Sequence, residues 1–429
     1  MRPHYPSTLN EYPMLEDYKK KREFEKTPEP LPKAQTKREG FSFVVQLHDA
    51  SHLHYDLRLE LDGVLKSWAI PKGPSLDPKD KRLAMMVEDH PLDYQYFEGT
   101  IPPGNYGAGT VMIWDRGTYG PEKQSHEPFD EYVRGGLKEG KFSFNLYGRK
   151  LKGSFALFRF GSKENQWMLI KHSDRFASSE DVRSLNLSVK TGFSLPLINA
   201  LDNLEITLTE KMKTPLPKRI SPMLATFAEK PVEGKDWLFE IKWDGYRAIS
   251  KLENGEVNLY SRNLQSFNAK FPEIAAELKK LNINAVIDGE VVALDEKGMP
   301  RFNLLQNIPP LNLPLSKGEQ VGVVYYCFDL IYFEGYDLRS LPLMQRKQML
   351  FRILPSNNPF IKYVDHVVGE GKRFYEQASK MGLEGIIGKK NGSTYQAGKR
   401  SSDWIKIKTA KRQEAVIGGY TAPRGSREG

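Results

Sequence analysis

Residues 52 to 61 read H-L-H-Y-D-L-R-L-E-L, with apolar and polar types in strict alternation. On a β-strand this places Leu53, Tyr55, Leu57, Leu59 and Leu61 on one face and His52, His54, Asp56, Arg58 and Glu60 on the other. The preceding run FVVQLH ends in His48, and Asp49-Ala50-Ser51 can turn the chain back. A hairpin there brings His48 close to His54 and Asp56. Two imidazoles and a carboxylate can hold a divalent ion and leave positions open for water or phosphate. Arg58, one step further along the same face, can fork onto an anion. His90, in K-R-L-A-M-M-V-E-D-H-P, is a further candidate as acid, base or phosphate donor. A solvated sheet face with a few hydrogen-bonded histidines accounts for the same residues singly. The cluster as a whole favours the metal.

A second constellation starts at W-L-F-E-I-K-W-D-G-Y-R. Alternation sets Phe239, Ile241 and Trp243 against Glu240, Lys242 and Asp244; Gly245 is expected to permit a tight turn, with Arg247 just beyond it. A lysine at a strand end beside other cations can serve as a nucleophile. Taken alone, the run fits a surface strand ending in a turn equally well. Its companions are Ser261-Arg262-Asn263, Asp288-Gly289-Glu290, Phe328-Asp329-Leu330, Glu384-Gly385 and Trp404-Ile405-Lys406-Ile407-Lys408. Together they offer a nucleophile, aromatic stacking, metal-binding carboxylates and phosphate-binding cations.

The elements that must position these groups fall into two halves. The chain has 429 residues, too many for one ordinary core. Seven of its eight histidines precede residue 180 and only His366 follows, so the halves differ in chemistry. Residues 1–40 are charged and Pro-containing and read as an extended arm. Residues 41–177 carry short alternating runs (FSFVVQL, YDLRLEL, LKSWAI, GTVMIWD, KFSFNLY, GSFALFRF, WMLIKH) broken by Gly and Pro, which predicts a β-barrel or sandwich. Residues 178–217 read as a linker. From 218 to 413 strands mix with helical patterns such as NAKFPEIAAELKKL and LMQRKQMLFRIL, giving an α+β domain. The tail 414–429 resembles the start of a further domain.

Composition excludes several classes. No run of eighteen apolar residues occurs, and the N-terminus lacks an apolar signal core, which argues against a membrane span or secretory signal. A lone cysteine, Cys327, rules out an intrachain disulfide and a cysteine-based zinc site and fits a reducing cytoplasm. The net charge of +9 favours an anionic partner, nucleic acid first.

FVVQLHDASHLHYDLRLELDGVLKSWAIPKGPS, followed by VEDHPLDYQYFEGTIPPGNYGAGTVMIWDRG, resembles the 3′-phosphoesterase domain of bacterial ligase D over about residues 20–175. The resemblance implies a small barrel with a Mn²⁺ site that removes 3′-phosphates and 3′-terminal ribonucleotides. His48, His54 and Asp56 would then ligate the metal. Arg58, His90, Lys72 and Arg82 would surround the phosphate, with Tyr94 in support, and Gln46, Glu88, Glu23 and Glu29 match further positions. The family's arm commonly has Asp where this chain has Glu23.

KWDG, SRN, DGE, FDL, EG and WIKIK, in that order, resemble the motifs of the covalent nucleotidyltransferases over about residues 220–415, in an ATP-grasp-like ligase adenylation fold. SPMLATFAEKP before WLFEIKWDGYR is nearest to bacterial ATP-dependent DNA ligases, although RNA ligases and capping enzymes share the motifs. The resemblance implies ATP with Mg²⁺ or Mn²⁺ and an AMP carried on Lys242. Glu240 would read the adenine, and Phe328 would stack on it. Arg247, Arg262 and Glu290 would hold the ribose and its surroundings, Glu290 and Glu384 the metal, and Lys406 and Lys408 the α-phosphate. It further implies DNA nicks or ends as substrate, a bacterial Ku homologue as partner, and a cytoplasmic, nucleoid-associated setting for end joining. Family ligases continue into an OB-fold domain, which this sequence is expected only to begin. Self-adenylation is therefore expected to be impaired while phosphatase activity survives. The competing reading is a chain that trims and binds DNA ends without sealing them.

Overall fold

The computed structural model describes residues 13–32, 41–123, 126–161, 163–296, 298–306 and 322–409. The tail 414–429, read as the start of a further domain, lies outside them. The contacts divide the chain into Met1–Ile206 and Thr207–Gly429.

Among its described residues the first unit contains nine strands: β1 (Ser42–Asp49), β2 (Leu53–Leu61), β3 (Val64–Ile70), β4 (Lys81–Pro91), β5 (Gly99–Ile101), β6 (Gly109–Pro121), β7 (Lys141–Gly148), β8 (Lys152–Arg159) and β9 (Gln166–Lys171). They run in the order β1-β2-β3-β4-β9-β8-β7-β6, and β1 pairs back with β6, so eight strands close a barrel and β5 hangs on β6. Closure leaves no free edge in that ring. The hairpin register pairs His48 with His54 and Gln46 with Asp56. The apolar face of β2 (Tyr55, Leu57, Leu59, Leu61) enters the barrel core with Trp68, Trp114, Trp167 and Phe155. A slip of one residue would exchange this set for charged groups, which fixes the register.

Three features depart from the sequence reading. Helix α2 (Phe129–Glu139) was not legible, because the adjacent glycines 135 and 136 disguise it. A Cβ on Gly136 would lie 2.5 Å from the Cβ of Phe142, so the helix can approach β7 only with glycine there. The arm is not simply extended: α1 (Glu16–Lys20) places Leu15 and Tyr18 in a satellite core with Val64, Leu65, Leu92 and Tyr94. The first part of the expected linker is also folded. Helix α3 (Leu195–Leu201) buries Leu197, Ile198 and Ala200, the Ser188 and Thr191 hydroxyls donate to Glu98, and the Val189 amide donates to the carbonyl of Ile113. Polar composition concealed a segment in which Val182, Phe193, Leu195 and Ile198 pack against the barrel core.

The second unit holds two sheets. One comprises β10 (Leu224–Phe227), β11 (Gly234–Ile241), β18 (Val367–Gly369), β19 (Gly385–Lys390) and β20 (Arg400–Lys408), in the order β10-β20-β19-β11-β18. The other comprises β12 (Tyr246–Glu253), β13 (Glu256–Ser261), β14 (Ala285–Leu294), β15 (Gly322–Phe333), β16 (Tyr336–Asp337) and β17 (Ile361–Tyr363), with β14 paired to both β12 and β15. Helices α4 (Pro272–Lys280), α5 (Phe302–Gln306), α6 (Leu343–Ile353) and α7 (Gly371–Lys380) complete the unit. Arg346 of α6 makes a two-pronged ion pair with Asp329 of β15, both side chains fully buried. Among the described residues no helix is long and apolar enough to cross a membrane.

Candidate active sites

The polar face of β2 is not a solvated surface. Asp56, Arg58 and Glu60 are all buried, with the Tyr94 ring over the Arg58 guanidinium and the Ser42 amide donating to Glu60. One ligand atom each from His48, His54 and Asp56 lies within 4.8 Å of the others, the one such grouping among the described residues. Backbone carbonyls fix both rings. His48 Nε2 donates to the Gly107 carbonyl at 2.9 Å, and His54 Nδ1 donates to the His52 carbonyl at 2.8 Å. A carbonyl can only accept, so His48 Nδ1 and His54 Nε2 present lone pairs towards Asp56, at 3.8 and 3.7 Å. Burial pushes the His48 imidazole below its ordinary value against the pull of Asp56, favouring the neutral form that a ligand needs. Two oriented imidazoles and a carboxylate fit a divalent ion with open positions.

Arg58 donates to Gln46 (2.8 Å), Ser67 (2.9 Å) and Asp56 (2.9 Å), and its guanidinium lies 4.8 Å from the Tyr94 ring centroid. Three of its five N–H groups are used, which leaves two for an anion. His90 donates from Nδ1 to the Glu88 carbonyl (2.9 Å) and accepts at Nε2 from Arg22 (3.3 Å). Burial first, then Arg58 and Arg22, hold its imidazole well below the usual histidine range, so it is neutral at pH 7. Tyr94 donates to Glu29, and Arg22 bridges Glu29 and Glu88.

Not every expected residue converges. Arg82 shares its face of β4 with Ala84 and Met86, which face the barrel core, and its guanidinium pairs with Asp80 at 2.6 Å. Lys72 is exposed beyond the end of β3, and Glu23 is exposed and paired with Lys26. Among the described residues no contact links any of the three to the triad. Strand parity turns Arg82 to the other side of the sheet. Conversely, Ser67, Arg22, Tyr18 and the Gly107 carbonyl went unnoticed in the sequence. Arg22 reaches Glu88 across 66 residues, and nothing local to either announces that pairing.

In the second unit, Glu240, Lys242, Arg247, Arg262, Glu290, Phe328 and Lys406 line one cleft, as the motifs anticipated, joined by Trp243, Lys389, Arg400 and Trp404. Residues from both sheets form its walls. The end of β11 carries Lys242, whose backbone amide donates to the Gly385 carbonyl and whose ammonium contacts the Glu384 carboxylate. Lys408 reaches the same carboxylate at 3.3 Å and so neighbours Glu384 rather than lining the cleft. Gly245 does not take a left-handed conformation. A Cβ there would lie 2.2 Å from the Val291 carbonyl oxygen, so close backbone approach, not a turn, requires the glycine.

Two pairings were not foreseen. Arg247 forks onto Asp288 at 2.6 and 2.7 Å, and Tyr395 donates to the same carboxylate. Glu240 is buried and takes both Lys347 (2.5 Å) and Lys389 (2.6 Å). Burial alone would raise the Glu240 carboxyl, but the two ammonium groups outweigh it and hold it low; burial brings Lys389 down to about 8. Arg247 and Lys389 also sit 4.5 and 4.2 Å from the Phe328 ring centroid. Burial raises the Glu290 carboxyl to about 7. Lys389 follows Gly385 and Ile387 at a period of two, a signal that could have found it. Lys347 lies on α6, and no sequence pattern marks it.

Residues 46–159 match the DNA Ligase D 3′-phosphoesterase domain, and residues 222–408 match the ATP dependent DNA ligase domain. The class the two units define is thus a phosphoesterase domain followed by a ligase domain. Among curated relatives, the multifunctional non-homologous end joining protein LigD of Pseudomonas aeruginosa is 42% identical over 96% of this chain and 49% of its own length. The LigD of Mycobacterium tuberculosis is 35% identical over 96% of this chain and 47% of its own. The SPbeta prophage-derived DNA ligase-like protein LigB of Bacillus subtilis is 32% identical over 47% of this chain and 72% of its own. The chain is homologous to these LigD proteins over 96% of its length, and it spans about half the length of the two LigD relatives.

Proposed function

We propose that this protein repairs and joins DNA ends, using the first unit to clear blocked 3′ termini and the second to seal nicks with ATP. The observation that carries this reading is the convergence of His48, His54 and Asp56 within 4.8 Å, on tautomers set by backbone carbonyls. A divalent ion there, for which we propose Mn²⁺, would neutralise and orient a 3′-phosphate. Arg58 offers two free N–H groups to the charge that develops on the phosphoryl oxygens, and Asp56 and Gln46 hold it in place. His90 has both ring nitrogens engaged, Nδ1 on the Glu88 carbonyl and Nε2 by Arg22, so in this reading it meets a leaving oxygen only when substrate displaces Arg22 from Nε2. In this reading Lys72 and Arg82 contact substrate outside the triad, and Glu29 and Glu88 hold the arm against it.

In the second unit the Lys242 amine forms a bond to the α-phosphorus of ATP as the α–β bridging bond breaks and pyrophosphate leaves. A DNA 5′-phosphate oxygen then displaces Lys242 and takes the AMP. Finally the 3′-hydroxyl attacks that phosphate, and AMP departs. Glu240 and Phe328 receive the adenine, Arg262 and Glu290 the ribose, and Lys406 the α-phosphate, at the mouth of which Glu384 and Lys408 flank the nucleophile. Mg²⁺, held by Glu290 and Glu384, would supply charge stabilisation. The proposed setting is the bacterial cytoplasm at the nucleoid, with a Ku homologue as partner.

A paired assay tests the two halves. A nicked duplex with a 3′-phosphate is expected to yield a 3′-hydroxyl with Mn²⁺ and to lose that activity in His48→Ala. Whatever label ATP transfers to the wild type is expected to sit on Lys242 and to vanish in Lys242→Ala. Phosphate release without any labelling of Lys242 would favour the trimming and end-binding alternative. Failure of both reactions would refute the assignment.

A further inference from the structure

Tyr106 stands in the 102–108 loop between β5 and β6, and the residue is 49% exposed. The loop is nevertheless well held. The Asn105 amide donates to the Pro102 carbonyl, the Ala108 amide to the Asn105 carbonyl, and Asn105 Nδ2 to the carbonyls of Pro102 and Lys26. The next residue, Gly107, supplies the carbonyl that orients His48. On the other side of Tyr106, Lys21 Nζ lies 4.8 Å from its ring centroid and the Arg22 guanidinium 5.5 Å. Both cations bind Glu88, and Arg22 reaches His90. The ring is therefore suspended between a metal ligand and the arm's cations, on a pinned loop, without being part of either apolar core.

A rigid aromatic ring exposed beside a phosphate-binding centre meets the requirement for a base-stacking platform, which accepts any base because every base has a π-face. We propose that Tyr106 stacks against the terminal base of a DNA 3′ end and so places the adjoining 3′-phosphate at His48, His54, Asp56 and Arg58. This inference rests on the phosphoesterase reading and adds a nucleoside subsite to it. Stacking, unlike hydrogen bonding to base edges, leaves the site indifferent to sequence, as the clearing of arbitrary ends demands.

The test uses the full chain with Mn²⁺ and two primer–templates carrying a 3′-phosphate, one ending in an ordinary nucleotide and one in an abasic deoxyribose. Tyr106→Ala is expected to raise KM about ten-fold on the ordinary end, the effect of losing one stacked base, with kcat nearly unchanged. Tyr106→Phe restores the wild-type KM. On the abasic end wild type and Tyr106→Ala are expected to coincide. Tyr106→Leu, which keeps bulk without a ring, reads the same difference if the alanine variant folds poorly. Equal losses on both ends, a loss confined to kcat, or no loss at all would overturn the proposal. A wild type that releases phosphate from neither end would instead overturn the phosphoesterase reading beneath it.

Discussion

At the scale of single residues, the first site depends on proton positions as much as on residue types. His48 and His54 each give one nitrogen to a backbone carbonyl and keep the other for a metal. His54→Ala is expected to weaken Mn²⁺ binding at least ten-fold by calorimetry, since one of the three proposed protein ligands is lost. His90 makes a different statement, about pH. Its folded value lies well below the ordinary 6.5, so as pH falls the unfolded chain takes up the proton first. The stabilisation from this neutral histidine is thus complete above about pH 6.5 and declines below it. Thermal melts of His90→Gln between pH 7 and 5 are expected to show a shallower loss than wild type; an identical slope would contradict the assigned neutrality. The grouping of His54, Asp56 and Arg58 was legible from alternation and His48 from the turn before them, while His90 stood out only as a separate candidate. Their supporting groups, Ser67, Arg22 and the Gly107 carbonyl, were not, because each comes from a distant segment.

At the scale of elements, the second site depends on backbones that come unusually close. Gly245 leads into β12, where β14 leaves no space for a side chain. Gly245→Ala is expected to reduce labelling of Lys242 by ATP and to lower the melting temperature, because the backbone must move to admit a methyl group. A second element-level device is the Arg346–Asp329 pair, which ties α6 to β15 behind the cleft. Asp329→Ala leaves a buried guanidinium without its partner and is expected to destabilise the second unit by about 3–5 kcal/mol in denaturant unfolding. The helix α6 was readable from its apolar period and the strand from its apolar run. The pairing was not, since Arg346 in LMQRKQML looks like any solvated helix charge.

At the scale of the whole molecule, the net charge of +9 predicts DNA affinity that falls steeply with salt. Binding to a nicked duplex is expected to show a linear fall of log K with log salt concentration; a flat response would argue against a phosphate-dominated interface. The sequence by itself determined two units of different chemistry, the barrel and α+β classes, the strand parity of both sites and Lys242 as the candidate nucleophile. These follow from local periodicity and from ordered motifs, which a linear chain records directly. Tertiary structure alone decided that the arm and residues 182–202 belong to the barrel unit, that Arg82 turns away from the triad, and that Glu240 shares two lysines. Each of those outcomes depends on which distant surfaces meet, and on where burial removes water from charge. Such meetings exist only once the strands have closed around their cores.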